Sequence, residues 1–244
     1  MAAPRRRVVL SAVGMVLALL AVRSRSEAVR PAPILPAQIP ATERGRLEPI
    51  VRQAAVATRM DYERYPARPA VFEYLLDHPE FASQVTRAVR AGRYRIWRSP
   101  EGLALDDGWG VHGHFELVHA APGMRVFFAQ GQYESRMLPD IPGRAVVIIE
   151  YAFQTGRDGR STVATSVTAH VALDGKVVRL AGQTAGPVAQ GKADKEGRRL
   201  LRVFSKVCHA IEDSPQAVYE AVRAQPDVPR AALEEFRRLL LRVP

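Results

Sequence analysis

Between Tyr94 and Leu173 the chain alternates apolar and polar residues in successive short runs, each closed by a turn signal. The runs are Tyr94 to Trp97, Leu103 to Leu105, Trp109 to His119, Met124 to Met137, Arg144 to Thr155 and Ser161 to Leu173. Asp107-Gly108, Pro122-Gly123, Arg157-Asp158-Gly159 and Asp174-Gly175 suit tight turns, and Leu138 to Gly143 make a longer loop. A period of two belongs to strands, and connections this short join only antiparallel neighbours, since a parallel crossover needs a dozen residues or more. The pattern predicts an antiparallel meander.

Alternation also gives each strand an inside. Phe127, Ala129, Gly131, Tyr133 and Met137 share one face, with Gln130, Gln132, Glu134 and Arg136 on the other. Val147, Ile149, Tyr151 and Phe153 agree with them, as do Val163, Thr165, Val167, Ala169, Val171 and Leu173. An apolar sheet face must be covered. The candidate cover is Val188 to Ile211, where Ala189, Ala193, Gly197, Leu200, Phe204, Val207 and Ile211 form one helical stripe. Its first half is small and its second half bulky, so the first half either leaves free volume over the sheet or lets helix and sheet approach closely.

Other elements are shorter. Glu48 to Tyr62 reads as strand or helix, whereas Val71, Leu75, Leu76, Phe81, Val85 and Val89 predict a helix or helix pair divided at Pro79. Pro215 to Ala224 and Pro229 to Leu241 predict two closing helices. The last carries Leu233, Phe236 and Leu240 beside Arg237, Arg238 and Arg242, a pattern that packs on the domain or rests on an anionic membrane surface.

The order of a helical segment, antiparallel strands and a long closing helix resembles the START-like superfamily, also called SRPBCC or helix-grip. Val71 to Phe81, an apolar stretch ending in Asp77-His78-Pro79, is similar to that superfamily's opening helix, and Arg198 to Ile211 to the end of its gripping helix. The resemblance covers roughly residues 54 to 212. It implies an α+β fold in which a curved antiparallel sheet grips the helix, and an apolar ligand such as a lipid, sterol or polyketide between them. Some members are cyclases, hydratases or oxygenase subunits. No iron-ligand motif of the oxygenase subunits is present, and no catalytic residue is carried over.

The N-terminus reads as an address. Arg5-Arg6-Arg7 and the apolar stretch Val8 to Val22 have the make-up of a secretory signal cleaved after Ser26-Glu27-Ala28, or of an uncleaved anchor, so export to the periplasm or cell envelope is expected. The proline-rich stretch that follows suggests a linker over 29–47, leading to a ligand-binding domain over 48–212 and a helical extension over 213–244. The net charge of +10 falls to +6 if the first 28 residues, with five arginines and Glu27, are removed. Without a basic run in the remainder, nucleic acid is not an expected partner.

Chemical motifs are sparse. Cys208 is the only cysteine, so intrachain disulfides and multi-cysteine metal sites are excluded, and its helix setting suits a small buried hydrophobe. His112, His114 and Glu116 share a strand face and offer a metal three ligands, but on the face opposite Val111, Phe115 and Leu117. Gly186 to Lys192 has the spacing of a phosphate loop, with Ala193 where a magnesium-binding Ser or Thr belongs. Asp106 and Asp107 read as turn residues.

The sequence thus predicts a monomeric, non-catalytic carrier of a hydrophobic small molecule without cofactor. Its cavity would be lined by Phe127, Tyr133, Met137, Tyr151, Phe153, Val167, Leu200 and Phe204, with the tyrosines able to orient a polar head. The alternatives are a cyclase or hydratase-like enzyme in the same cavity, and a metal-binding envelope protein using His112, His114 and Glu116.

Overall fold

The computed structural model describes residue 32 and residues 34–108, 110–134, 140–173 and 185–241, apart from the side chains of residues 133, 141, 185–189 and 192. The leader expected over 1–28 lies outside the described residues. The elements run α1 (Ala41–Arg52), β1 (Val56–Pro66), α2 (Pro69–Asp77), α3 (Pro79–Ala88), β2 (Arg95–Ser99), β3 (Gly102–Asp106), β4 (Val111–Ala121), β5 (Met124–Tyr133), β6 (Ile141–Thr155), β7 (Ser161–Leu173), α4 (Ala185–Asp213), α5 (Pro215–Arg223) and α6 (Arg230–Leu241).

The strands form one antiparallel sheet in the order β1-β7-β6-β5-β4-β3-β2. From β2 to β7 this is the expected meander, and β1 closes the far edge beside β7 rather than beside its own chain neighbour. The ambiguous stretch after Glu48 holds both structures, the end of α1 and the start of β1. Pro79 divides α2 from α3 because its ring cannot continue the preceding helix; at the first position of α3 it costs nothing.

Registry gives the inner face a gradient. Cross-strand rows read Arg125, Ile149, Val167, Met60, then Phe127, Val147, Ala169, Thr58, then Phe115, Ala129, Ala145, Val171, and last Gly113, Gly131, Gly143, Leu173. On β5 and β6 the side chains therefore shrink toward one end of the sheet. In the last row the strands approach so closely that a β-carbon built on Gly113 would lie 2.7 Å from the Gly131 Cα. Only glycine fits that pair.

Helix α4 lies along β1 on this face. Gln190 Nε2 donates to the Ala57 carbonyl near the small end, at 3.3 Å, and His209 stacks on Tyr65 near the bulky end, with ring centroids 6.5 Å apart. This is a helix-grip arrangement. Helices α5 and α6 do not form a separate extension, as the division at residue 213 suggested. Val218, Val222, Leu233, Phe236 and Leu240 share one buried cluster with Val71, Phe81 and Val85 of α2 and α3 and Val203, Val207 and Ile211 of α4. The α6 stripe that suggested a membrane contact is spent inside this cluster.

The linker expected over 29–47 needs correction. Leu35 and Ile39 are buried, α1 starts at Ala41, and Leu47, Ile50 and Val51 join them against the outer face of the sheet. Prolines at 36 and 40 hide this periodicity in the sequence, yet Pro40 stands just before the helix, where no backbone donor is needed. The sheet is thus covered on both faces.

Candidate functional site: an apolar cavity beneath the long helix

Where the small end of α4 passes over the small end of the sheet, the two surfaces separate. They leave between them a cavity of about 400 Å³ that opens to solvent. Its floor is Phe127, Ala129, Ala145, Val147, Ala169 and Val171; its roof is Ala193, Gly197, Leu200 and Phe204; and Ala82, Ser83 and Thr86 of α3 close one side. An adjoining space of about 230 Å³ continues over Gly113, Gly131 and Gly143. The volume follows from the sequence: Ala129, Ala145 and Ala169 of the floor and Ala193 of the roof are too small to fill the gap.

The larger cavity is overwhelmingly apolar, with Ser83, Thr86, Tyr94, Asp107 and Glu196 as its polar lining. Most of these are already engaged. Ser83 Oγ donates to the Glu80 carbonyl at 2.8 Å and accepts from the Ile96 amide at 3.3 Å. Asp107 Oδ1 accepts the Val111 amide at 3.0 Å, bracing the turn into β4. Glu196 accepts two bonds from Arg199 Nη1, at 2.7 and 2.6 Å. Burial, reinforced by the nearby Glu196 charge, pushes the Tyr94 phenol well above its usual range, so it stays protonated at any physiological pH.

The residues expected to line the cavity divide. Phe127, Val167, Leu200 and Phe204 border it. Tyr151 and Phe153 face the same side of the sheet but lie farther along, where Phe72 packs on both rings at 5.2 and 5.6 Å. The Tyr151 hydroxyl is not available to a ligand head group as proposed from sequence: it accepts from Arg125 Nη1 at 2.8 Å and donates to Glu73 at 2.9 Å. Burial and the bond to Glu73 raise its pKa to about 12. Met137 and the Tyr133 side chain lie outside the described residues.

The small residues of the floor and the polar rim were not found from sequence. Their signal was present, since Ala129, Ala145 and Ala169 are inward by alternation, but size rather than polarity marks them. Asp107, read as a turn residue, does brace the turn and also borders the cavity, with 2% of its surface exposed.

The strand motif does not assemble a metal centre. His112, His114 and Glu116 share the outer face, as read, yet turn to different partners: Asp106 and Glu134 at 3.8 and 3.9 Å, Glu101 at 3.4 Å, and Arg46 at 2.6 Å. Among the described residues no three His, Cys, Asp or Glu side chains converge as metal ligands. The phosphate-loop spacing over Gly186 to Lys192 falls within the helical backbone of α4 and forms no loop. Cys208 is buried among apolar neighbours, and that burial raises its thiol to about 12.

No family model and no curated protein matches the chain. Solved structures do. A conserved protein from Geobacillus kaustophilus aligns with 65% of this chain and 97% of its own, at 14% identity and a TM-score of 0.41. The di-domain ARO/CYC StfQ from the steffimycin biosynthetic pathway aligns with 70% of this chain and 56% of its own, at 12% identity and a TM-score of 0.36. Ara h 8.0201 aligns with 62% of this chain and 97% of its own, at 14% identity and a TM-score of 0.32. The fold rests on strand order, registry and the position of α4, which these likenesses accompany.

Proposed function

We propose that the chain is a START-like binding or carrier protein for a hydrophobic small molecule, a lipid being the fitting class. The reading rests on one observation, an apolar cavity of about 400 Å³ between the sheet and α4. The cavity opens to solvent, so an apolar molecule can enter it and displace water that finds few unengaged polar partners along the lining. An apolar occupant gains roughly 25 cal/mol per Å² removed from water. Export to the periplasm or cell envelope belongs to the same proposal, on the leader read over residues 1–28.

Filling the cavity tests the reading. Ala169→Trp places a large ring on the floor, and purified full-length variant should lose N-phenyl-1-naphthylamine fluorescence enhancement and co-purified lipid while keeping its circular dichroism. Equal probe binding by wild type and variant, or none by wild type, removes the cavity reading.

One observation favours a second reading, a cyclase or hydratase-like enzyme in the same cavity: the carboxylates of Asp107 and Glu196 border it. Asp107→Asn should then abolish turnover of a polyketide-like substrate without weakening probe binding, whereas a carrier shows no turnover to lose.

A further inference from the structure

Beside the cavity lies a recess of about 640 Å³ whose walls are cationic. The end of α3 and the residue two beyond it contribute Arg87 and Arg90, the connection into β2 contributes Arg93, the start of β2 contributes Arg95, and α4 contributes Arg202 and Lys206 from the facing side. Among the described residues none of these six forms an ion pair with a carboxylate, and the Nε of Arg87 is buried without a hydrogen-bond partner. Like charges brought together in this way repel one another, and a buried guanidinium nitrogen left unpaired is costly. Arg90 adds a further cost: it holds a left-handed backbone, φ 54°, at the helix end where glycine would be easier. The dipole at the end of α3 accounts for cations at Arg87 and Arg90, but not for those of β2 and α4.

The recess and the cavity share their walls. Thr86 lines the cavity and Arg87 the recess; Tyr94 lines the cavity between Arg93 and Arg95; Val203, next to Arg202, borders both. Three elements therefore present an apolar side to the cavity and a basic side to the recess. Between the two, Glu196, on the cavity side, is held by Arg199, on the recess side.

We propose that this recess seats the oxyanion head group, phosphate or carboxylate, of an amphiphile whose apolar part occupies the cavity. The inference rests on the cavity reading and names its ligand class: a single-headed anionic amphiphile, not a neutral sterol or hydrocarbon. The head group supplies acceptors to Arg87, Arg93 and Arg202, and its entry gives Arg199 a second anion besides Glu196. A concave recess that shares a wall with an apolar cavity suits a head group better than the broad surface of a bilayer.

Calorimetry on the full chain with dodecyl phosphate, dodecanol and inorganic phosphate tests it. Dodecyl phosphate should bind about tenfold or more tighter than dodecanol, the equivalent of one charge-assisted hydrogen bond, and added salt should shrink the advantage. In Arg93→Glu/Arg202→Glu, both at exposed positions, the advantage should vanish while dodecanol binding stays. The milder Arg93→Gln/Arg202→Gln should reduce it in part, which separates lost recognition from misfolding. Equal binding of the two amphiphiles by wild type overturns the head-group seat and leaves the cavity reading standing. Binding of neither amphiphile defeats the cavity reading and this inference with it. Inorganic phosphate binding as tightly as dodecyl phosphate makes the recess a free-anion site and overturns the proposal. So does a charge-reversed variant that loses only adhesion to phosphatidylglycerol vesicles and keeps its preference for dodecyl phosphate, which makes the recess a docking surface.

Discussion

Gly197 of α4 sits directly over Met60 of β1, so close that a β-carbon on the glycine would fall within the Met60 methyl group. One turn earlier Ala193 borders open cavity. The stripe of small residues on α4 therefore does two things: it admits a close helix-to-sheet contact at Gly197 and leaves free volume at Ala193. The two expectations for this stripe are both met, at different residues.

Replacing Gly197 with Ala sets two effects against each other. In a solvent-facing helix position alanine gains about 1 kcal/mol over glycine. Here the terminal methyl of Met60, the far end of a flexible side chain that borders the cavity, must swing into that free volume, a small cost that offsets much of the gain. Gly197→Ala should be close to neutral in urea unfolding and should weaken apolar probe binding; in a Met60→Ala background the same change should be stabilising. An additive double-mutant cycle would show that the two residues do not contact.

The far end of the inner face is locked rather than hollow. Arg125 reaches Asp77 with Nε at 2.5 Å and Nη2 at 3.0 Å, and its Nη1 donates to the Ala121 and Met124 carbonyls and the Tyr151 hydroxyl. Hydrogen bonding to Asp77 raises the guanidinium pKa still further, so the charge is permanent. Asp77→Ala should cost about 2–3 kcal/mol, below the usual 3–5 for breaking a buried pair, because Asp77 is 39% exposed and water can take its place. Tyr151→Phe should cost about 1–3 kcal/mol by unpairing Arg125 and Glu73. Neither change should alter apolar probe affinity. A large loss of affinity in Tyr151→Phe would restore the head-orienting role that the geometry assigns elsewhere.

The contrast between Tyr151 and Ala129 shows what was legible in the sequence. A period of two fixes which face a side chain takes, and every inner-face assignment on β5, β6 and β7 with a described side chain agrees with the registry. It does not fix where along the strand the covering helix stands away, which depends on contacts between residues as distant as Met60 and Gly197. Alternation therefore selected the large inward residues, whereas the cavity is made by the small ones. The outer cover was missed for a related reason. In Val146-Val147-Ile148-Ile149 both faces are apolar, the mark of a strand buried on both sides, and only one set was assigned.

That outer cover is open to test through the N-terminal arm. Leu35, Ile39 and Leu47 pack with Val126, Val146 and Ile148, and all six are nearly inaccessible. Leu47→Ala should cost about 2–5 kcal/mol, as for other buried leucines, and Ile39→Asp should expose the outer sheet face and promote association. Thermal unfolding and light scattering would read these two effects. If Ile39→Asp is as stable and as monodisperse as the parent, the arm is only a tether.

Beneath the same cover His170 is 1% exposed, on the sheet face opposite the cavity, paired in register with Ala57 and Val146. Neither ring nitrogen has a hydrogen-bond partner among the described residues, and burial lowers its pKa below the usual value of 6.5. The sign follows from proton linkage: below about pH 6.5 the unfolded chain binds a proton that the folded chain refuses. This site's contribution to stability is therefore complete above about pH 6.5. As pH falls it is lost at up to about 1.4 kcal/mol per pH unit until the folded-state pKa is reached, where the loss levels off. Urea titrations between pH 7.5 and 5 should show that fall in the parent, and His170→Leu should flatten it while leaving apolar probe binding unchanged, since the residue lies on the other face of the sheet. An identical slope in parent and variant would assign the acid sensitivity to other groups and would mean that His170 is hydrated or paired in solution.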